Sequence, residues 1–203
     1  AFIPREDDDV SAAVKERLEE MGVTFELGIS VKKVETDNNK ATVYYAKNDE
    51  EKVLVADAVL VATGRKPNIQ GLDLEKAGVE LSERGAIKVN EFLQTNKPHI
   101  FALGDVNGGP QFTFISLDDF RIVKNFLAGN KEYSTKERSL IPTSTFISPT
   151  LSSVGLNEKA AQAAGIPVKV AKLPMAAVPK AKILGNQVGF YKVLVHEQTN
   201  EIV

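Results

Sequence analysis

The 203-residue chain has no cysteine and no tryptophan, only two histidines, and no block of lysine or arginine. Without a thiol it can form no disulfide, no thiolate metal site and no thiol-based redox step of its own. Its 25 basic and 27 acidic side chains leave a net charge of −2, which gives no electrostatic footprint for nucleic acid or an anionic membrane. No apolar run approaches the roughly 20 residues that a bilayer span requires. The opening AFIPREDDDV is acidic where a signal peptide is basic and then apolar. A soluble, cytoplasmic chain is expected, with no nucleic-acid or membrane partner and no metal. The chain opens on Ala1 rather than Met and stops at Glu201-Ile202-Val203 inside an apolar run, so a fragment of a longer protein is also expected. What is present is 43% apolar residues, enough to bury the core of one large domain or two smaller ones.

Val10, Val14 and Leu18 recur every four residues, with Met21 closing the stripe, and predict a helix that Gly22 ends. The acidic run Asp7-Asp8-Asp9 falls at its start, where carboxylates meet free N–H groups and the positive end of the dipole, and reads as a solvated helix start. Thr24 to Val34, Lys40 to Ala46 and Glu51 to Val55 alternate as strands, separated by the turns Asp37-Asn38-Asn39 and Lys47-Asn48-Asp49, and predict a β-meander. Ala58 to Ala62 and Ile100 to Leu103 are continuous apolar runs, the pattern of strands buried on both faces of a parallel sheet. Between them lie a short helical piece at Leu74 to Ala77 and a turn at Glu83-Arg84-Gly85. Thr113 to Leu127 predicts a longer helix stopped by Gly129. Beyond a polar stretch from Asn130 to Arg138 come strands at Ile141 to Ile147, Val168 to Leu173 and Gly189 to Val195. A helix at Glu158 to Ala164 is capped by Asn157. The first part reads as α/β and this tail as α+β.

The strongest chemical signal is the second buried run, which ends in Gly104-Asp105 and passes through a glycine-rich turn into the Thr113 helix. In an open α/β sheet, ligands bind in the crevice beyond the carboxyl ends of the strands. Asp105 there offers an acceptor to sugar-like hydroxyls, Gly104 admits close backbone approach, and the free N–H groups of the helix favour an electron-rich ligand edge. A plain strand–turn–helix connection has the same local sequence. The first run ends similarly in Thr63-Gly64-Arg65, where Arg65 suits either a phosphate or solvent.

Together, VLVATGRKPN at Val59 to Asn68, ERGAIKVN at Glu83 to Asn90 and QTNKPHIFALGDVNGGPQFT at Gln94 to Thr113 resemble the pyridine nucleotide-disulphide oxidoreductases, the FAD- and NAD(P)-dependent family of dihydrolipoyl dehydrogenase, glutathione reductase and mercuric reductase. The tail, IPTSTFISPTLSSVGLNEKAAQAAG through GFYKVLVHEQTNEIV, is similar to that family's dimerisation domain. The run QFTFISLDDFRIV is more like the bacterial branch associated with reactive-chlorine resistance.

The resemblance implies the end of an NAD(P)-binding domain at 1–64, the second segment of an FAD-binding domain at 65–130 and a truncated dimerisation domain at 131–203. It implies Asp105 as an acceptor for a hydroxyl of FAD, Thr113 as a backbone donor to the flavin with Phe112 beside it, Gln111 near the nicotinamide, and Gly64 and Arg65 bordering the NAD(P) phosphates. Gln111 stands where the family commonly has an apolar or short side chain. The family's glycine-rich fingerprints, redox cysteine pair and catalytic histidine motif are not in these residues, so no catalytic residue is expected here and the chain alone is expected to be inactive. His99 and His196 read as surface or strand-end residues. The reading is a segment of a flavoprotein passing electrons from NAD(P)H through FAD to a disulphide-type or other small acceptor. It forms a two-fold homodimer through the region from Ser139 to Val203. The alternative is a non-catalytic dimerisation or nucleotide-binding module on the same scaffold.

Overall fold

The computed structural model describes residues 2–37, 39–138 and 140–203; Asn38 of the first expected turn and Ser139, the expected start of the dimer region, lie outside them. In chain order the first elements are helix α1 (Asp8–Glu20) and strands β1 (Ile29–Asp37), β2 (Lys40–Lys47) and β3 (Glu50–Ala56). Helices α2 (Leu74–Ala77) and α3 (Thr113–Leu127) follow, with a 3-10 turn at Gly104–Asn107 between them. The remainder is β4 (Thr143–Thr145), β5 (Leu151–Ser153), α4 (Glu158–Ala163), β6 (Val168–Pro174), α5 (Pro179–Ile183) and β7 (Phe190–His196). The chain divides into two compact units, Ala1–Leu60 with Leu140–Val203, and Val61–Ser139.

In the first unit, the meander is present as an antiparallel sheet in the order β1-β2-β3. The central strand buries Ala41 and Tyr45, four residues apart and therefore on one face. β4 pairs with β5, and β6 with β7, both antiparallel. The strand expected over Ile141 to Ile147 is ordered as a ladder only at Thr143–Thr145, where Leu151–Ser153 faces it. Asn157 caps α4 as expected, its side-chain oxygen accepting the N–H of Ala160 at 2.8 Å.

The acidic run is not a solvated helix start. Asp7 is 4% exposed and makes no side-chain hydrogen bond to its own helix. Its two oxygens instead accept the backbone N–H groups of Glu158 and Lys159 at 3.0 and 3.1 Å, adding a second cap to α4 from a distant part of the chain. The buried ammonium of Lys192 donates to Asp7 at 2.7 Å and to both oxygens of Asp9 at 2.9 and 3.1 Å, and also pairs with Glu158. Lys172 pairs with Asp9 as well. Alternation and charge could not show this, because the partners are about 150 to 185 residues away in sequence.

The expected parallel strand at Ala58 to Ala62 is absent as a ladder: none of these residues is paired, and Leu60 and Val61 are 89% and 73% exposed. An apolar run becomes a strand only where neighbouring strands take up its N–H and C=O groups. The second run is not the expected parallel strand either, but within the second unit it finds partners through a single antiparallel bridge and its flanking hydrogen bonds. Phe101 bridges Gln94, Ala102 donates to the carbonyl of Leu93 at 3.0 Å, and Thr95 donates to that of Ile100 at 2.9 Å. Ala102 packs with Val79 and Ile87 in a small core flanked by Leu74, Val89 and Val106.

Candidate functional site

The second apolar run delivers the chain into Gly104, whose φ of +70° lies in the left-handed region that glycine enters without a Cβ penalty. A Cβ at Gly104 would also stand 2.7 Å from Ser116 Oγ on α3, so turn and helix meet there at glycine distance. Gly108 closes the 3-10 turn at φ +78°, and a Cβ on it would lie 2.8 Å from that of Ala86. The chain then reaches Phe112, extended at φ −132°, and α3 begins at Thr113. The carbonyl of Phe112 accepts the N–H groups of Ile115 and Ser116, both at 3.1 Å. The N–H groups of Thr113 and Phe114 precede these bonds and have no partner inside the helix.

These segments enclose an open cavity of about 460 Å³, lined by Arg65, Leu103, Gly104, Asp105, Gln111, Phe112, Thr113 and Ser116. The structure therefore brings six of the seven expected site residues to one place. The seventh, Gly64, precedes Arg65 at φ +115° but is not part of the lining. Arg65 and Asp105 form a long ion pair at 3.8 Å, and both side chains stay largely open to solvent. The donor set is mixed: a carboxylate acceptor at Asp105, helix N–H donors at the start of α3, and the amide of Gln111. That mixture suits a ligand with a hydroxylated chain and an electron-rich ring edge, and so fits a flavin.

The support of this turn was not anticipated. Asp119, on the buried stripe of α3 with Ile115 and Ile122, is 1% exposed. One of its oxygens accepts the N–H of Gly104 at 2.8 Å and the side-chain amide of Asn107 at 3.3 Å. Its other oxygen accepts from Arg138 at 2.6 Å, while Arg138 also donates to Asp118 at 2.8 Å. Tyr133 donates to Asp118 as well, at 3.2 Å. Burial works against the Arg138 charge, but the hydrogen bonds and charges of Asp119 and Asp118 outweigh it and raise its pKa above the ordinary arginine value. A signal existed in the sequence: a charged residue at a position spaced four from Ile115 and three from Ile122, on the apolar face.

His196 Nδ1 accepts the backbone N–H groups of Gln198 and Thr199 at 3.2 and 3.3 Å and so closes a turn after β7. The carboxylates of Asp7, Asp9 and Glu158 lie within metal-ligating reach of one another, but they converge on Lys192, whose ammonium supplies the compensating charge. No helix among the described residues is long and apolar enough to cross a membrane.

The turn, the cavity and the helix start together form one candidate site, and sequence comparison gives the class of the chain. Residues 1–118 match the family model described as pyridine nucleotide-disulphide oxidoreductase, and residues 141–203 match the dimerisation domain of the same family. The chain belongs to the pyridine nucleotide-disulphide oxidoreductase family, whose cofactors are FAD and NAD(P)H, the pair expected from the sequence. It is 39% identical over 202 residues to the probable pyridine nucleotide-disulfide oxidoreductase RclA of Escherichia coli, covering 100% of this chain and 45% of that protein. It is also 39% identical over 197 residues to a mercuric reductase of Staphylococcus aureus, covering 97% of this chain and 36% of the relative. A solved structure described as the HOCl-induced flavoprotein disulfide reductase RclA from Escherichia coli superposes with a TM-score of 0.91 at 38% identity, over 100% of this chain and 46% of that one. The chain thus spans about half the length of the curated relatives it matches. These matches support the α/β flavoprotein reading over a non-catalytic module.

Proposed function

We propose that the whole protein is an FAD-dependent oxidoreductase that takes electrons from NADH or NADPH and passes them to a disulphide-type or other small acceptor, and that this chain supplies one wall of its flavin site. The observation that carries the reading is the convergence of Arg65, Gly104, Asp105, Gln111, Phe112 and Thr113 on one cavity. When bound there, FAD supplies the hydride and electron chemistry; the protein supplies binding and orientation.

Within that division of labour, Asp105 would accept a hydroxyl of the cofactor, with Arg65 beside it as a counter-charge. The backbone N–H of Thr113, free at the start of α3, would donate to an electron-rich edge of the flavin, which the N-terminus of the helix favours. Phe112 and Leu103 would supply apolar contacts to the ring, and Gln111 would lie toward the nicotinamide. Gly64 and Arg65 border the phosphates of NAD(P). No residue of the chain takes a catalytic proton in this scheme, so the chain alone is inactive.

The same reading divides the chain into the end of an NAD(P)-binding domain at 1–64, an FAD segment at 65–130 and a dimerisation domain at 131–203. A two-fold homodimer forms through the last of these. Exposed apolar side chains there support it, among them Phe146 at 90%, Ile183 at 84% and Tyr191 at 57% exposure. A cytoplasmic setting, where NAD(P)H is available, belongs to the reading. The test is to purify the whole protein, record its visible spectrum with and without added FAD, and add NADH or NADPH without oxygen. Flavin bands that bleach on reductant are expected; a protein that stays colourless after incubation with FAD overturns the proposal.

A further inference from the structure

We infer that Asp119, held by Arg138, is a positioning residue for the flavin site: it sets the Gly104–Asp105 turn in the orientation that presents Asp105 to the cofactor. The inference rests on the flavin reading above and goes beyond it, because Asp119 is not among the residues that line the cavity.

The geometry is that of a relay of hydrogen bonds. The backbone N–H of Gly104 points inward to Asp119 at 2.8 Å rather than toward the cavity. A trans peptide holds C=O and N–H antiparallel, so fixing that N–H also fixes the carbonyl of Leu103, a residue of the cavity lining. Asn107, at the other end of the same 3-10 turn, donates to the same carboxylate oxygen at 3.3 Å and to the carbonyl of Ala102 at 3.2 Å. Both ends of the turn that carries Asp105 are therefore tied to one buried atom. Gly104 is in a backbone region that leaves it several alternatives, so something must select the one conformation seen. The contact does.

Arg138 makes the carboxylate available for that task. It takes the second oxygen of Asp119 at 2.6 Å and Asp118 at 2.8 Å, leaving the first oxygen for the turn. With its side chain 10% exposed, Arg138 shields the pair from water. A buried carboxylate without such a partner is strongly disfavoured, and it would either take up a proton or draw the chain apart. A side chain needed only for packing on the apolar stripe of α3 would be served better by leucine, and a charged residue there is explained by the backbone donor it faces.

The experiment compares Asp119→Ala, Arg138→Met and Arg138→Lys with Ile122→Val, a packing change on the same buried stripe that leaves the turn's partners intact. Two quantities are measured on each, both in the whole protein: the dissociation constant for FAD, by flavin titration, and the exchange rate of the Gly104 amide hydrogen, by hydrogen exchange. Asp119→Ala is expected to weaken FAD binding about tenfold or more and to speed Gly104 exchange. Arg138→Met should do the same to a smaller degree, with Arg138→Lys recovering part of the loss. Ile122→Val should change neither quantity by more than about twofold, even where its melting temperature falls comparably. Equal FAD affinity in Asp119→Ala and wild type, or equal losses in Asp119→Ala and an Ile122→Val variant of matched stability, overturns the inference. A wild-type protein that takes up no flavin overturns the reading beneath it, and unchanged Gly104 exchange in Asp119→Ala overturns the hydrogen-bond relay by itself.

Discussion

Two buried ionic clusters hold this chain together, and they do different work. In the first unit, Lys192 gathers Asp7, Asp9 and Glu158, binding α1 to α4 and β7 across most of the sequence. In the second, Arg138 gathers Asp118 and Asp119, which lie on one helix, and through Asp119 reaches the turn that borders the cavity. The first fixes which distant segments meet; the second fixes the conformation of a few residues. Buried charge pairs are weak evidence of stability, since desolvation offsets much of their attraction, but removing one partner is costly. The two clusters should therefore respond alike in stability and differently in ligand binding.

The largest effect should come from Lys192→Met. It leaves three carboxylates facing one another with only Lys172, on Asp9, to balance them, and a cost of about 3–5 kcal/mol is expected, seen as a large drop in the thermal midpoint of the chain. Arg138→Met, at a position that gathers two carboxylates rather than three, should cost about 3 kcal/mol. The comparison is sharpened by FAD affinity, which the second variant should lower and a still-folded Lys192→Met protein should not. Equal losses of affinity in both would break it.

Acid should weaken the first cluster next. Burial pushes the Asp9 carboxyl upward, but hydrogen bonds from Lys172 and Lys192 overcome this and bring it from an ordinary 3.8 down to about 2. Asp7 is lowered too, burial again being outweighed by Lys192 and the N–H groups of Glu158 and Lys159. A folded-state pKa below the unfolded one means that the unfolded chain takes up protons first. The stability contributed by these groups is present above the ordinary value and is lost as pH falls through the folded one. Melting temperature should thus fall between about pH 4 and pH 2, and Asp9→Asn should flatten that fall. An unchanged acid profile in Asp9→Asn would remove the cluster from the account. The smallest effect belongs to Lys159→Ala: its ammonium meets Asp8 at the surface, with side chains 48% and 94% exposed, and exposed pairs contribute about 0–1 kcal/mol.

How much of this was legible depends on where the partners lie. Helix α3 begins and ends where the spacing of Ile115, Ile122, Val123 and Phe126 and the stop at Gly129 place it, because those determinants are local. The three-stranded meander was legible for the same reason, its turns being short. The Ala58 and Ile100 runs read identically, yet only the second finds hydrogen-bond partners among the described residues, and composition carries no information about partners. α5 was missed although Pro179 stands at its first turn, a position where proline's fixed φ favours a helix. In the site, the lining residues were legible from motif and resemblance, whereas the roles of Asp119 and Arg138 depend on contacts that only the fold brings together. A carboxylate on an apolar stripe was visible in the sequence, but not the N–H of Gly104 that explains it.

The central claim is that the Gly104–Asp105 turn is a flavin-binding wall, and its most direct test is an FAD-binding isotherm of the whole protein carrying Asp105→Ala beside the wild type. Asp105 is exposed at the cavity edge and supports no buried contact, so its loss should leave the fold intact. The dissociation constant is expected to rise about ten- to a hundredfold with an unchanged melting temperature of the flavin-free protein. A variant that binds FAD as tightly as the wild type would contradict it.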